Sequence, residues 1–233
     1  MRYVFADCRW SLDDPDSGRR AYREGHIPGA VFVDVDRELA APAGAGGRHP
    51  LPSAEQFAAV ASRAGVDAEA FVIAYGSLGG AERLWWLLRH FGHDACAVLD
   101  LDAWHGRLRP GDETAEVADF VPRERTGDTI DLSTLVASRE RLVVVDTRVS
   151  SRWRGEANAV DRVPGRVPGA LSAPWNEALP VLPDGELVAY CGSGVTACVV
   201  LHRLHLAGRD GLLFPGSWSE WEQHPELPVE RSR

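Results

Sequence analysis

The sequence predicts an α/β protein made of two similar tandem domains, each a mostly parallel sheet flanked by helices. Short apolar runs alternate with helical stretches throughout the 233 residues, and this alternation is typical of parallel strands joined by helices. The same order of segments also occurs twice along the chain, which indicates two copies of one architecture.

Four segments of the first half have counterparts in the second half. The spacing between counterparts falls from 139 residues for Asp7 and Asp146 to 115 for Tyr75 and Tyr190. The second copy therefore lacks an insert that the first copy carries at residues 36–66. The paired segments are 4–9 with 143–148, 26–30 with 166–170, 71–77 with 186–192, and 91–99 with 207–214.

The repeat also predicts the limits of the domains. The first domain is expected over residues 1–108 and the second over 129–233, with a linker at 109–128 that is rich in Pro, Gly and charge. Domains of this size are common. Within the insert, Ser53 and Gln56 predict a capping box at the start of a helix.

Composition excludes several classes of function. The net charge is −9, and an acidic chain is not favoured as a protein whose main partner is nucleic acid. All 25 strong bases are Arg, so Schiff-base and P-loop chemistry, which need Lys, are not favoured either. No run approaches the roughly 20 apolar residues that span a bilayer, and the N-terminus begins in a strand-like run without a secretory leader. We expect a cytoplasmic protein with no membrane partner.

The four cysteines are Cys8, Cys96, Cys191 and Cys198, and they form no CxxC pair and no cluster with closely spaced His. A disulfide scaffold and a structural zinc site are therefore poor interpretations, and no metal site is expected. At most one cysteine is expected to carry chemistry.

Cys191 lies where a buried strand meets a glycine-rich turn and then a helical run over 195–206. Ligands bind at the carboxyl ends of strands in parallel sheets, and amide N–H groups at a helix N-terminus favour a negatively charged sulfur. A free cysteine is more often a small buried hydrophobe, which is the interpretation kept for the other three cysteines. The position of Cys191 favours a nucleophile.

Several motifs in order along the chain resemble the two-domain sulfurtransferases of the rhodanese superfamily. The segment 191–196, Cys-Gly-Ser-Gly-Val-Thr, is similar to the active-site loop of the 3-mercaptopyruvate sulfurtransferases in that superfamily. Supporting matches are Gly-His-Ile-Pro-Gly-Ala at 25–30, Leu-Trp-Trp-Leu at 84–87, and Gly-Ser-Trp-Ser-Glu-Trp at 216–221. The resemblance implies two tandem rhodanese-like domains, of which only the second is catalytic, since Gly76 occupies the nucleophile position of the first.

The resemblance also implies a set of site residues around Cys191. Arg152 matches an arginine that binds the substrate carboxylate, and Arg162 is the nearest candidate for a second one; a guanidinium suits a carboxylate because it donates two parallel hydrogen bonds. The loop residues expected to contact substrate are Gly192, Gly194, Val195 and Thr196.

A Ser-His-Asp set is a further implication of the resemblance. Ser193, His49 and Asp36 match its members, which would move protons as pyruvate leaves. His26 and Arg148 are expected to be structural instead.

The expected reaction transfers sulfur from 3-mercaptopyruvate to Cys191 as a persulfide, and then to a thiol acceptor such as thioredoxin or to cyanide. No cofactor is expected. Thiosulfate is an alternative donor, although the uncharged loop disfavours a dianion. A Cys-x5-Arg phosphatase is disfavoured because Ala197 stands where that arginine would be. A non-catalytic binding module is the third alternative.

Overall fold

The computed structural model describes residues 2–232, and its backbone contacts divide the chain into two compact units. The first unit comprises Met1–Ala41 and Leu51–Arg125, and the second comprises Pro42–Pro50 and Thr126–Arg233. No helix among the described residues is long and apolar enough to cross a membrane.

The first unit is a four-stranded parallel sheet with helices packed against it. The strand order is β2-β1-β3-β4, and β1 pairs in parallel with both β2 and β3. Its elements are β1 (Arg2–Cys8), α1 (Ser17–Glu24), β2 (Val31–Phe32), α2 (Ala54–Arg63), β3 (Ala70–Gly76), α3 (Gly80–His90) and β4 (Cys96–Val98).

The second unit repeats this topology. Its parallel strands follow the order β6-β5-β7-β8, so the two tandem sheets predicted from the repeat are confirmed. Its elements are α4 (Leu132–Ser138), β5 (Val143–Asp146), α5 (Ser150–Arg154), β6 (Leu171–Ser172), β7 (Leu187–Tyr190), α6 (Ala197–Leu206), β8 (Leu212–Leu213) and α7 (Ser217–Trp221).

The repeat extends to one buried ion pair. In the first unit Arg9 Nε donates to both carboxylate oxygens of Asp7 at 3.0 Å. In the second, Arg148 Nε donates to Asp146 at 3.0 and 3.1 Å, and both side chains are fully buried. A buried charge is tolerated only when it is paired and hydrogen-bonded, so the Asp-x-Arg segments anchor the ends of β1 and β5.

The predicted insert supplies α2, whose start follows the predicted capping box. Ser53 Oγ accepts from the Gln56 amide at 3.2 Å, and Gln56 Oε1 accepts from the Ser53 amide at 3.0 Å. Phe57 is fully buried on the inner face of this helix and stacks on Phe91 at 4.9 Å.

Two segments group differently from the limits expected for the domains. Residues 109–125, placed in the predicted linker, pack along the first unit: the Arg109 amide donates to His26 O, and Phe120 is buried. This polar segment packs there because its backbone forms hydrogen bonds with the first unit and the Phe120 side chain is buried. Residues 42–50 come from the insert, yet they group with the second unit.

Candidate active site

Cys191 follows directly after β7 and precedes a tight loop that leads into α6. The side chain is 2% exposed, and the Gly194 N–H donates to its Sγ at 3.1 Å. Gly194 has a φ of +80°, a conformation that glycine adopts without steric cost. The helix begins at Ala197, slightly later than the sequence predicts, so Val195 and Thr196 lie in the loop.

The segment between β8 and α7 holds this loop in place. The Cys191 amide donates to Ser217 Oγ at 3.1 Å. The Trp218 amide donates to Cys191 O at 3.0 Å, and the Ser219 amide to Gly192 O at 2.9 Å. In making these contacts Ser217 adopts a φ of +52°, a backbone conformation that is strained for a non-glycine residue. The Gly-Ser-Trp-Ser motif therefore acts as a backbone support for the cysteine loop.

Ser193 and His49 form a buried hydrogen bond within the second unit. Nδ1 of His49 lies 2.7 Å from Oγ of Ser193, and the residues are 7% and 6% exposed. The segment Pro42–Pro50 carries the histidine, and the Arg48 amide fixes that segment by donating to Ser219 Oγ at 3.0 Å. A hydroxyl hydrogen-bonded to an imidazole can transfer a proton.

Close approach of these two segments requires a glycine at position 47. Gly47 has a φ of +93°, and a Cβ there would lie 2.6 Å from Ser219 Oγ and 2.7 Å from Gly216 O. Any side chain would push the His49 segment away from the loop.

Two guanidinium groups flank Gly192. A Cβ built on Gly192 would lie 2.9 Å from Nη2 of both Arg152 and Arg48, and 3.4 Å from Nη1 of Arg152. Arg152 belongs to α5, and Arg48 stands next to His49. The cysteine loop itself is uncharged, but these two side chains bring positive charge beside it.

Arg48 is a site residue that the sequence analysis missed. Its Nε is buried without a hydrogen-bond partner in the part of the chain that the structure describes, and its Nη1 reaches Val160 O only at 3.5 Å. Burial, and next repulsion from Arg152, lower the pKa of Arg48, while the charge of Asp161 acts in the opposite direction. Its position beside His49 was the only available signal in the sequence.

Asp161 is the second missed residue. Arg152 Nε donates to its Oδ2 at 2.7 Å, and Arg152 Nη2 donates to its Oδ1. Burial alone would raise the pKa of Asp161, but hydrogen bonding and charge from Arg152, with the charge of Arg148, hold that pKa below its ordinary value. The sequence offered no motif for this residue.

Two further residues, Asp36 and Arg162, are predicted members of the site. Asp36 belongs to the first unit, in the turn after β2, where its amide donates to Asp34 Oδ1 at 3.0 Å. Arg162 is exposed, next to Asp161 in the chain. Neither residue has a described contact with Cys191, so their roles stay predictions.

The corresponding loop of the first unit is built differently. A Cβ on Gly76 would lie 2.6 Å from the backbone oxygen of Cys8, so no side chain fits at the nucleophile position. Burial raises the pKa of Cys8 well above its ordinary value, and the charge of Asp7 adds to the effect. This cysteine is a packed core residue.

Comparison with known proteins places the chain in a family. Residues 2–105 match the Rhodanese-like domain. A Pseudomonas aeruginosa protein, provisionally named a 3-mercaptopyruvate sulfurtransferase, is 39% identical over 96% of this chain and 90% of its own. A Mycobacterium tuberculosis protein, provisionally named thiosulfate sulfurtransferase SseB, is 36% identical over 97% of this chain and 89% of its own.

A solved structure agrees with these relatives. The 3-mercaptopyruvate sulfurtransferase from Leishmania major superposes with a TM-score of 0.82 at 26% sequence identity, covering 98% of this chain and 72% of that one.

Proposed function

This chain belongs to the rhodanese family of sulfurtransferases, and we propose that it moves a sulfur atom from 3-mercaptopyruvate, through a persulfide on Cys191, to a thiol or cyanide acceptor. The Cys191 thiolate attacks the donor sulfur, an S–S bond forms, and the donor C–S bond breaks with its electron pair leaving as pyruvate enolate. The proton of the donor thiol ends on the methyl carbon of pyruvate. An acceptor thiolate then takes the outer sulfur and releases the Cys191 thiolate.

The observation that carries this choice of donor is the hydrogen bond between His49 and Ser193. Pyruvate leaves as an enolate that must be protonated, so a positioned hydroxyl–imidazole pair assists the step. Thiosulfate releases sulfite, which leaves without needing a proton. A buried proton-transfer pair beside Cys191 is useful for the first donor and dispensable for the second.

Arg48 and Arg152 are suited to hold the donor carboxylate. Their Nη atoms converge on Gly192, next to the nucleophile, and a guanidinium binds a carboxylate through charge-assisted hydrogen bonds. The N–H of Gly194, which already donates to Sγ, would stabilise the negative charge of the persulfide.

Thiosulfate is the second candidate donor. Two guanidinium groups face the loop, which weakens the expectation that an uncharged loop disfavours a dianion, and a Mycobacterium tuberculosis relative is named for thiosulfate. A dianion benefits from two nearby positive charges more than a monoanion does.

We also propose a thiol acceptor and a reducing compartment for this reaction. All four cysteines are free thiols, which fits a reducing compartment such as the cytoplasm. A small protein dithiol such as thioredoxin would suit the second half-reaction there.

The test compares two assays on the same protein. Pyruvate release from 3-mercaptopyruvate with a thiol acceptor is measured beside thiocyanate formation from thiosulfate and cyanide, and Cys191→Ser is compared with the control Cys96→Ser. We expect 3-mercaptopyruvate to be favoured at least tenfold in kcat/KM, about 1.4 kcal/mol, with activity lost only in Cys191→Ser. Mass spectrometry after incubation with donor alone should add one sulfur to the Cys191 peptide.

A larger kcat/KM for thiosulfate would move the donor assignment to the second candidate. Turnover of neither donor by the folded wild-type protein would overturn the proposed function and favour a binding module.

A further inference from the structure

Asp161 is a buried carboxylate beside the proposed donor site, and it accepts four hydrogen bonds. The residue is 7% exposed. Its Oδ2 accepts from Arg152 Nε at 2.7 Å, from Arg148 Nη1 at 3.2 Å and from Asn158 Nδ2 at 3.1 Å, while Oδ1 accepts from Arg152 Nη2. A carboxylate so fully engaged is unsuited to proton transfer and acts as a fixed negative charge.

This carboxylate determines which edge of Arg152 is free. A planar guanidinium has a side edge, Nε with Nη2, and an end edge, Nη1 with Nη2. Asp161 occupies the side edge, and the end edge lies nearest Gly192, where a Cβ would be 2.9 Å from Nη2 and 3.4 Å from Nη1. The edge left for a donor is therefore the one beside the cysteine loop.

The same pairing reduces the positive charge that a donor meets. Arg148 is paired with the buried Asp146 and also with Asp161 at 3.2 Å, and Arg152 is paired with Asp161. Arg48 makes its one described side-chain hydrogen bond to a carbonyl oxygen, at 3.5 Å, and the charges of Asp161 and Glu222 both act to raise its pKa. Without Asp161 these three guanidiniums together would carry one more unit of uncompensated positive charge.

We propose that Asp161 is a positioning and specificity residue that sets the preference of the site for a singly charged donor over a doubly charged one. The inference rests on the proposed function. Coulomb energy is proportional to the charge of the donor, so removal of the Asp161 charge strengthens binding of thiosulfate more than binding of the 3-mercaptopyruvate monoanion.

The closing experiment compares Asp161→Asn with the matched variant Asn158→Ala. Asn158 orients the same loop, since its Oδ1 accepts from the amides of Val160 and Asp161 at 2.9 and 2.8 Å, but it carries no charge. For both variants and the wild type, kcat/KM is measured for thiosulfate and for 3-mercaptopyruvate with cyanide as the common acceptor, at low and high salt.

In Asp161→Asn the ratio of the thiosulfate to the 3-mercaptopyruvate kcat/KM is expected to rise about tenfold at low salt. The rise should be smaller but still present near 1 M salt, because salt screens buried charges much less than exposed ones. Asn158→Ala should keep the wild-type ratio at both salt concentrations. An unchanged ratio in Asp161→Asn, or an equal change in Asn158→Ala, would overturn the inference.

A binding measurement separates this inference from the proposed function. Titrations of wild type and Asp161→Asn with sulfate and with pyruvate, followed by thermal stabilisation, require no turnover. We expect the variant to gain affinity for sulfate over pyruvate by about tenfold, even if the wild type turns over neither donor. Should Asp161→Asn fail to fold, the wild type alone decides: sulfate binding more than tenfold tighter than pyruvate would contradict a site set for single charge.

Discussion

Replacement of Gly192 by Ala tests whether the two guanidiniums hold the donor. The new Cβ would lie 2.9 Å from Nη2 of both Arg48 and Arg152, closer than the 3.0 Å that real Cβ atoms respect. The loop is fixed, because the Ser219 amide donates to Gly192 O at 2.9 Å. The flexible ends of the arginine side chains must therefore retreat, by roughly 0.5–1 Å, to reach ordinary van der Waals contact.

The loss can be estimated from the hydrogen bonds that this retreat weakens. A hydrogen bond to a charged group contributes about 1.5–3 kcal/mol, so partial loss of two such contacts costs about 2 kcal/mol, or about 30-fold in kcat/KM for 3-mercaptopyruvate. The loss should appear mainly in KM, since the carboxylate is bound both before and during the reaction. The melting temperature should change by less than about 4 °C, because only side-chain ends move.

The assay is pyruvate release at a series of donor concentrations, with Gly44→Ala as the matched control. Gly44 lies on the same segment as His49, and a Cβ there meets nothing within 4 Å at an ordinary φ, so this variant should resemble the wild type. A folded Gly192→Ala protein with kcat/KM within about threefold of wild type would refute the role of the guanidiniums.

Three further predictions concern other parts of the second and first units. Ser193→Ala and His49→Ala should each lower kcat for 3-mercaptopyruvate by about 100-fold and for thiosulfate by less than tenfold, with the double variant no worse than either single one; equal losses with both donors would contradict proton transfer by this pair. Burial raises the pKa of Cys96 to about 12, so at pH 8 iodoacetamide should label it at least about a thousandfold more slowly than an unperturbed thiol; rapid labelling in a peptide map would contradict this. Burial favours protonation of Asp161, but pairing with Arg152 holds its pKa below the unfolded value of about 3.9, so its stabilising effect is present above that pH and is lost as pH falls through the folded pKa. In urea titrations, lowering the pH should therefore reduce the free energy of unfolding less in Asp161→Asn than in the wild type. An equal reduction in both proteins would refute the lowered pKa of Asp161.

The fold was predictable because its signals are local. Apolar runs that end in Asp-x-Arg and glycine-rich turns after strands each depend on a few neighbouring residues, and their repetition along the chain predicts two copies of one sheet. The capping box at Ser53 is equally local and predicts the start of α2. The same reasoning placed Cys191 between a strand and a helix, since a strand, a turn and a helix start are all visible within about ten residues.

The composition of the site was decided only by tertiary structure. His49 meets Ser193 across 144 residues, because a segment of the first half of the chain groups with the second unit, and no periodicity encodes such a contact. The roles of Arg48 and Asp161 are not predictable from the sequence for the same reason: an isolated arginine or aspartate has no pattern in a sequence, and its role depends on which charges and backbone groups surround it after folding. The sequence by itself determined the architecture and the nucleophile, whereas the charge and geometry offered to a donor come from long-range packing around Gly192.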